Sequence, residues 1–507
     1  MDSRKDVSTV LSRAPEGLEA PLVRVEVHLG TGLPQFALVG LPEAVVRESK
    51  ERVRSALQTS GFEFPLARIT VNLSPADLPK EGGRFDLPIA IGILAASRLI
   101  PARALLKREF YGELSLGGEL RETAKLLPAL IHGARSGNEL IVPEANALEA
   151  SLVGGGRLRL AQRLSQVVMA LKHEKAESWG SVSAVAPAAP RPVALPDVSE
   201  VRGQFAAKRA LEIAAAGEHG LLFVGPPGAG KTLLAQRMPG LLPPLSPEEA
   251  LEVASLESAA GRRPASGLRR PFRSPQHTAS VAALIGGSGL RPGELSLAHR
   301  GVLFLDELPE FPRNALEALR EPLESGVVVV SRLKRTRRFP AQFLLVAAMN
   351  PCPCGYAGDS KGRCHCTAEQ VARYRNRISG PLVDRIDMHV ELQALPPEHL
   401  VEVADPAGEN SPSIAARVAA ARSLQLSRQG KLNGRLNVRE VAQYCSLGRD
   451  SRALMTTAIA RMGLSARAYH RVLKLARTCA DLSAATSVRF ADVAEAIKLR
   501  ALERPIC

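Results

Sequence analysis

The sequence predicts an α/β protein organised around one phosphate-binding loop, and three observations support this prediction. Residues 221–232 read as an apolar strand, a glycine-rich loop and the start of a helix. Strands and helices interleave ahead of that loop, as they do in α/β domains. Helical patterns separated by glycine and polar breaks follow residue 396. The 507 residues therefore divide into an α/β domain at 1–172, an Ala/Pro-rich linker at 173–199, a nucleotide-binding α/β core at 200–395 and a helical lid at 396–507.

The glycine-rich loop fits the pattern G-x-x-x-x-G-K-[ST] in full. Its glycines let several backbone N–H groups face one anion, and the helix that follows adds the positive end of its dipole. Lys231 is expected to reach the β- and γ-phosphates, and the Thr232 hydroxyl to bind Mg²⁺. A chance glycine-rich turn is the alternative, which the apolar strand and helix on either side argue against. The predicted nucleotide contacts are Gly225, Pro226, Pro227, Gly228, Ala229, Gly230, Lys231, Thr232 and Leu233.

Two more apolar runs end in polar residues and extend the predicted site. Residues 302–305 lead into Asp306 and Glu307, which describes a buried strand with carboxylates at its C-terminal end. Open α/β sheets bind their ligands at that end. We expect Asp306 to hold Mg²⁺ and Glu307 to polarise the attacking water. Residues 343–349 form a third run that ends at Asn350, for which an ordinary strand-end turn is the alternative.

The charge balance favours a polyanionic partner. The net charge is +15, and residues 412–507 carry 17 Lys and Arg against 6 Asp and Glu. A solvated basic helical face is the alternative explanation of this bias. The sequence has neither a membrane-spanning apolar run nor a signal-peptide pattern, and its clustered cysteines suit a reducing compartment. We therefore expect a cytoplasmic protein.

A basic hairpin is predicted at 327–339, where four valines precede a run of cations. Such a cluster can hold a phosphate backbone without reading its sequence. A solvated loop, or a loop that grips an acidic protein segment, is the alternative. The predicted DNA contacts are Arg332, Lys334, Arg335, Arg337 and Arg338.

Four cysteines follow Asn350 closely. Their C-x-C and C-x-C spacing can close a tetrahedral Zn²⁺ site from Cys352, Cys354, Cys364 and Cys366. His365 could replace one thiolate, and free or redox-active thiols are the alternative. Because the cluster begins two residues after Asn350, a bound zinc would brace that residue.

The first 172 residues resemble the Lon-protease-type domain at the front of Mg-chelatase-like ATPases. The resemblance rests on 79–86 and 112–120, which match the serine loop and the lysine turn of Lon. Arg84 stands at the position of the nucleophilic serine, and Leu120 at that of the lysine. A serine–lysine dyad needs a hydroxyl beside an amine, so we expect a scaffold or assembly domain without peptidase activity.

The core resembles the Mg-chelatase branch of AAA+ ATPases through the phosphate loop, 271–280 and 382–387. The resemblance implies two adenine contacts, a sensor-1 amide, an arginine finger for the neighbouring subunit and a sensor-2 arginine. The implied adenine contacts are Val201 and Gly203, and the implied sensor-1 amide is Asn350. The implied arginine finger is Arg385, and the implied sensor-2 arginine is Arg467.

Both arginine assignments have simpler alternatives. Arg385 could form an intramolecular salt bridge to Asp384 or Asp387, and Arg467 could be an ordinary surface residue of its helix.

Over its whole length the sequence is similar to the ComM/YifB family of Mg-chelatase-like AAA+ ATPases. The resemblance implies a hexameric DNA helicase that uses ATP and Mg²⁺ and promotes branch migration in recombination and natural transformation. A chelatase-type or protein-remodelling ATPase without DNA translocation is the runner-up. An ATP-regulated scaffold with little turnover is the third hypothesis.

Overall fold

Two separate sheets organise the chain, each in its own unit. The first unit consists of residues 1–191 and 247–267, and the second of residues 192–246 and 268–507. The computed structural model describes residues 7–40, 46, 48–154, 157–173, 179–181, 195–264, 269–287, 290–332, 335–358, 362–394 and 409–500. Lys334 and most of the predicted linker at 173–199 lie outside these ranges.

The first unit contains an eight-stranded mixed sheet with the strand order β10-β9-β8-β5-β1-β2-β4-β3, and a separate β6–β7 ribbon. Alternate residues of β4 are buried, so one face of the sheet packs on the core. Helix α2 covers that face and is buried on almost all sides. The strands are β1 (Val7–Arg13), β2 (Leu22–Gly30), β3 (Gln35–Val39), β4 (Arg68–Ser74), β5 (Arg108–Phe110), β6 (Glu113–Leu114), β7 (Leu120–Arg121), β8 (Glu139–Pro143), β9 (Arg157–Ala161) and β10 (Gly180–Ser181). The helices are α1 (Ser49–Thr59), α2 (Asp86–Ala96), α3 (Leu127–Arg135), α4 (Ala147–Ser151) and α5 (Leu164–His173).

The second unit contains a five-stranded parallel sheet with the order β12-β13-β16-β11-β17. Every residue of β11, β13 and β16 is buried, which explains why these strands read as continuous apolar runs. The strands are β11 (Leu221–Val224), β12 (Phe272–Arg273), β13 (Val302–Leu305), β14 (Val327–Arg332), β15 (Arg335–Pro340), β16 (Leu344–Met349) and β17 (Met388–Glu391).

Helices follow in three groups along this part of the chain. Those around the phosphate loop are α6 (Phe205–Gly217), α7 (Lys231–Leu241) and α8 (Pro247–Ala259). Those between the strands are α9 (Val281–Ile285), α10 (Glu294–Leu297), α11 (Arg313–Glu317), α12 (Arg320–Ser325), α13 (Ala368–Arg375) and α14 (Gly380–Val383). Those of the C-terminal region, predicted to be helical throughout, are α15 (Ser411–Gln429), α16 (Val438–Tyr444), α17 (Arg449–Met462), α18 (Ala466–Leu482) and α19 (Phe490–Lys498).

Helix α8 belongs to the first unit, although its position in the sequence predicts that it lies inside the ATPase core at 200–395. It packs on α3 and buries Ala254 in the core of that unit. The Ser258 hydroxyl donates to Glu149 Oε1 at 2.8 Å, and the Leu127 N–H donates to the Ser258 hydroxyl at 3.3 Å. Residues 247–267 therefore belong to the first unit, because helix α8 buries its apolar face against that unit's core.

No helix in the described ranges combines the length and apolar character needed to cross a bilayer.

Asp387 joins the parallel sheet to the C-terminal helices. It precedes β17 and accepts hydrogen bonds from the Gly220 N–H at 3.1 Å and from Arg471 of α18. The ring of His219 lies 3.3 Å from its Oδ2. Burial alone would raise the pKa of Asp387, but Arg471 and His219 hold it well below its usual value. The pairing therefore stabilises the fold above the pKa of an unfolded aspartate, and this contribution is lost as the pH falls below it.

We expect Asp387→Asn to lower the free energy of unfolding by about 3 kcal/mol, because it leaves the partly buried guanidinium of Arg471 without its counter-charge. Urea unfolding monitored by circular dichroism measures this loss. Asp384→Asn, three residues away and partly exposed, is the matched control. Equal stability of the two variants would contradict the assigned role of Asp387.

Candidate active site

Three neighbouring strands of the parallel sheet end at one cavity. β11 leads into the phosphate loop, β13 into Asp306 and Glu307, and β16 into Asn350. Because β13, β16 and β11 are adjacent and parallel, their carboxyl ends meet at the same edge. The cavity has a volume of about 420 Å³ and is lined by Pro227, Gly228, Ala229, Gly230, Lys231, Thr232, Leu233, Asp306, Glu307, Met349 and Asn350.

The phosphate loop has a backbone that side chains would disturb. Gly228 and Gly230 have φ values of 78° and 88°, in the left-handed region that favours glycine. A Cβ on Gly225 would lie 2.7 Å from the carbonyl oxygen of Leu392. Helix α7 begins at Lys231, so its first N–H groups face the cavity and suit an anion.

Lys231 is held inside the loop by three acceptors. Its Nζ donates to the Gly225 carbonyl at 2.6 Å, the Pro226 carbonyl at 3.0 Å and Asn350 Oδ1 at 2.9 Å. Burial lowers the pKa of this ammonium group. A bound phosphate would supply the negative charge that these neutral acceptors lack. The Asn350 amide thus contacts the cation that the phosphate loop presents.

The Thr232 hydroxyl donates to Asp306 Oδ2 at 2.8 Å. A hydroxyl and a carboxylate are hard oxygen ligands of the kind that Mg²⁺ prefers. The two residues therefore fit the predicted magnesium site.

Glu307 follows Asp306 in an unusual backbone conformation, with φ at 52°. Left-handed backbone at a residue other than glycine costs energy and concentrates at functional sites. Its Oε2 lies 3.2 Å from Nδ1 of His277, which comes from the segment between β12 and α9. His277 therefore holds the carboxylate that is expected to polarise water.

Gln204, like His277, contacts the site although no predicted motif includes it. Its amide donates to the carbonyls of Ala229 and Gln393, at 3.1 and 2.9 Å. It ties the phosphate loop to the segment after β17. Of the predicted adenine contacts beside it, Val201 is 5% exposed and packs in the core, and Gly203 adopts φ of 56°.

The predicted arginines lie away from this cavity. Arg467 is exposed in the first turn of α18. Arg385 lines another cavity of the same unit, and its Nη2 pairs with Glu324 Oε1 at 2.5 Å. Arg385 therefore pairs with Glu324 and not with Asp384 or Asp387, the two expected alternatives. Asp387 is already paired with Arg471 and His219.

The basic hairpin forms as predicted, from β14 and β15 paired antiparallel. Arg338 is exposed, and Arg335 and Arg337 are partly buried. The backbone of Arg332 pairs with that of Arg335 next to the tip.

The four cysteines come together as the spacing predicts. The Sγ atoms of Cys352 and Cys354 are 3.3 Å apart, and Cys364 lies 3.8 and 3.6 Å from them. With Cys366, all four Sγ atoms lie within 4.8 Å of one another. Tetrahedral zinc with Zn–S bonds of about 2.3 Å places sulfurs roughly 3.8 Å apart. The four sulfurs therefore fit a zinc ion, and His365 is not part of this ligand group.

Within this cluster the thiolate form is favoured at Cys354, whereas desolvation and the neighbouring thiols raise the pKa of Cys364 and Cys366. The Tyr356 N–H lowers the pKa of Cys354 to about 6. The Ala357 N–H also donates to Cys352 Sγ at 3.2 Å. Gly355 packs against the phosphate loop, since a Cβ there would lie 2.7 Å from Cδ of Pro227. The cysteine loop thus contacts the nucleotide cavity directly.

In the first unit, Arg84 is 4% exposed and donates to the Ala124 carbonyl at 2.6 Å. Burial lowers the pKa of its guanidinium to about 10. Leu120 is 7% exposed. Neither position offers the hydroxyl or amine of a peptidase dyad.

Comparison with known families gives matches along most of the chain. The profile described as subunit ChlI of Mg-chelatase matches residues 25–146. Profiles described as magnesium chelatase, subunit ChlI, and as its C-terminal part match residues 197–400 and 408–500.

Relatives of similar length also match. The competence protein ComM of Haemophilus influenzae is 47% identical over 505 residues, which cover 98% of both chains. The YifB protein of Escherichia coli is 46% identical over 502 residues, again with 98% of both chains covered. The magnesium-chelatase 38 kDa subunit of Cereibacter sphaeroides is 29% identical over 173 residues, covering 30% of this chain and 52% of its own.

We expect His277→Ala to reduce kcat for ATP hydrolysis about tenfold, roughly 1.4 kcal/mol of barrier, because the Glu307 carboxylate loses its partner. KM should stay within about twofold, since His277 is not among the residues that line the phosphate cavity. A steady-state phosphate-release assay measures both constants.

Gln276→Ala changes the exposed neighbour and serves as the control. His277→Gln, which keeps a hydrogen-bond donor, should recover part of the lost rate. An unchanged kcat for His277→Ala would remove His277 from the site.

Proposed function

The chain belongs to the ComM/YifB family of Mg-chelatase-like AAA+ proteins, and on this basis we propose that it is a ring-forming DNA helicase powered by ATP. Family membership implies ATP and Mg²⁺ as cofactors. The proposed activity is branch migration during homologous recombination and natural transformation, in the cytoplasm. The name of the Haemophilus influenzae relative, a competence protein, supports this role.

In the proposed hydrolysis of ATP, each residue of the cavity has a separate role. Lys231 and the loop N–H groups bind the phosphates, and Asn350 accepts a hydrogen bond from Lys231 that holds it in place. Thr232 and Asp306 would hold Mg²⁺, which neutralises phosphate charge. Glu307 accepts a proton from the attacking water and is oriented by His277.

The observation that carries the DNA proposal is the continuity between the basic hairpin and the catalytic strand. β15 ends at Pro340, and β16 begins four residues later and leads into Asn350. A shift of the hairpin would therefore act on the amide that contacts Lys231. A hairpin of exposed and half-buried arginines suits a phosphate backbone held without base contacts.

Assembly into a ring, most simply a hexamer, is part of the same proposal. Arg385 and Arg467 lie away from the phosphate cavity of their own subunit. An arginine that stabilises phosphate charge can be supplied by another chain, and we propose that a neighbouring copy supplies these two. Val201 and Gly203 remain the proposed adenine contacts.

A second candidate is a chelatase-type or protein-remodelling ATPase, which the match to a magnesium-chelatase subunit supports. The two candidates differ in what stimulates hydrolysis. Branched or single-stranded DNA, with an effect that falls as salt rises, favours the helicase. Stimulation by a protein alone favours the second candidate.

We also propose that the cysteine cluster holds one structural zinc ion. Bound to four thiolates, it would fix the loop whose Gly355 packs on Pro227. With zinc bound, these cysteines would hold both the loop that packs on the phosphate loop and the segment after Asn350 in place.

The helicase proposal predicts that the protein moves a synthetic Holliday junction with ATP and does not with a non-hydrolysable analogue. Changing Arg335, Arg337 and Arg338 together to Ala should keep basal ATPase within about twofold and remove stimulation by DNA, because three phosphate contacts are lost. Branch migration measured on gels and phosphate release test both effects.

Arg24, Arg121 and Arg157, all exposed in the first unit, provide a control with the same loss of charge when changed to Ala. Full DNA stimulation of the hairpin variant would refute the DNA contact. If the control variant lost DNA stimulation to the same extent, the effect would come from the loss of net charge and not from the hairpin.

For the zinc proposal we expect about one zinc per chain in protein purified without chelator, measured by elemental analysis. Cys364→Ser with Cys366→Ser should lose the metal and lower the melting temperature, since zinc no longer closes the loop. Cys445→Ala, which changes a buried thiol outside the cluster, should retain it. Protein without zinc and with unchanged stability would end the proposal.

A further inference from the structure

Helix α13 begins directly after the cysteine cluster and ends beside the nucleotide cavity. Thr367, which follows Cys366, caps its N-terminus in a capping box with Gln370. The helix ends at Arg375, and Tyr374 in its last turn is 6% exposed. All of α13 lies in the described part of the chain, and none of its residues lines the nucleotide cavity. An effect of this helix on hydrolysis must therefore act through other residues.

The end of α13 contacts the turn that follows β16. Arg375 Nε donates to the Pro351 carbonyl at 3.3 Å. A backbone hydrogen bond from Asn350 reaches the phenol oxygen of Tyr374. The Asn350 side chain in turn accepts from Lys231 Nζ at 2.9 Å. Tyr374 and Arg375 therefore hold the backbone from which this amide reaches into the cavity.

A second contact reaches the turn that follows β13. Arg377, two residues beyond α13, donates from Nη1 to Glu310 Oε2 at 2.7 Å. The Glu310 N–H donates to the Glu307 carbonyl at 2.8 Å, which closes the turn that begins at Glu307. The left-handed backbone of Glu307 persists only where the surrounding structure holds it. Arg377 therefore helps to fix the carboxylate that is expected to polarise water.

The Tyr374 phenol stays protonated at neutral pH. Burial raises the pKa of Tyr374 to about 12, and the nearby carboxylates of Glu310 and Glu307 act in the same direction. A neutral hydroxyl can accept a hydrogen bond on one side and donate one on the other. Tyr374 therefore supports Asn350 without adding a charge beside Glu307.

We propose that residues 374–377 are a positioning element for ATP hydrolysis, in which Tyr374 and Arg375 hold the turn of Asn350 and Arg377 holds the turn of Glu307. One helix end thereby sets the separation between the amide that contacts Lys231 and the carboxylate that activates water. Small misplacements of such groups slow a reaction strongly. The inference rests on the ATPase of the proposed function and deepens it, because these side chains act through Asn350 and Glu310 and not on the nucleotide.

Arg377→Ala tests the Glu307 side in a steady-state phosphate-release assay without DNA. We expect kcat to fall about two- to fivefold, the range for one exposed ion pair, and KM for ATP to stay within about twofold, since the phosphate loop is unchanged. Arg377→Lys should recover part of the rate. Arg373→Ala removes an equal charge from α13, where Arg373 pairs with Glu369 at 2.6 Å, and should match the unchanged protein.

A double-mutant cycle tests whether Arg377 acts through Glu310. Glu310→Ala, alone or combined with Arg377→Ala, should lower kcat about as much as Arg377→Ala does, because each variant removes the same contact. A purely structural role would instead lower the melting temperature and leave the rate per folded molecule unchanged.

Tyr374→Phe tests the Asn350 side, because it removes one hydroxyl and keeps the buried ring. We expect kcat to fall about two- to tenfold, the range for one hydrogen bond. The ratio to the unchanged protein should be constant from about pH 6 to about pH 9, since the phenol does not titrate there. Tyr444→Phe makes the same change in α16 and should leave kcat unchanged.

Two results would overturn the inference. One is a kcat equal to that of the controls for both Arg377→Ala and Tyr374→Phe, with both variants shown by circular dichroism to be folded. The other is additive losses for Arg377→Ala and Glu310→Ala, which would show that Arg377 does not act through Glu310. Failure of the proposed function is distinguishable, because the unchanged protein would then not hydrolyse ATP.

Discussion

The structure depends on the burial of three adjacent parallel strands. β11, β13 and β16 offer no exposed residue, so each polar group that follows them must emerge at the same edge of the sheet. That edge brings Lys231, Asp306 and Asn350 together from segments that are far apart in the chain. The hydrogen bond from Lys231 to Asn350 closes the arrangement and gives a buried cation an acceptor.

Much of this site could be predicted because its signals are local. The phosphate loop is defined by consecutive residues, and the strand ends at Asp306 and Asn350 by apolar runs beside them. The cysteine cluster follows from short spacing, which limits how far four thiols can separate. The C-terminal helices were predictable from periodicity and from the glycine breaks between them.

Pairings over long distances were not predictable. His277 meets Glu307 across 30 residues, and Glu324 meets Arg385 across 61, and neither sequence neighbourhood points to its partner. For Arg385 the nearer aspartates are the obvious candidates. Asp387 is not free to pair with Arg385, because it is already bonded to Arg471 of α18 and to His219. Competition among charged groups in the folded chain decides such pairs, and no local pattern records it.

The position of helix α8 sets a limit on how this protein can be divided. A shortened protein that lacks the residues before the linker would still contain helix α8. Its Leu251 and Ala254 would then be uncovered, because the core that they pack against would be missing. Such a fragment would present an apolar surface to solvent and tend to self-associate. The front domain is therefore not a detachable module, and its loss in evolution would require the simultaneous loss or rewriting of residues 247–267.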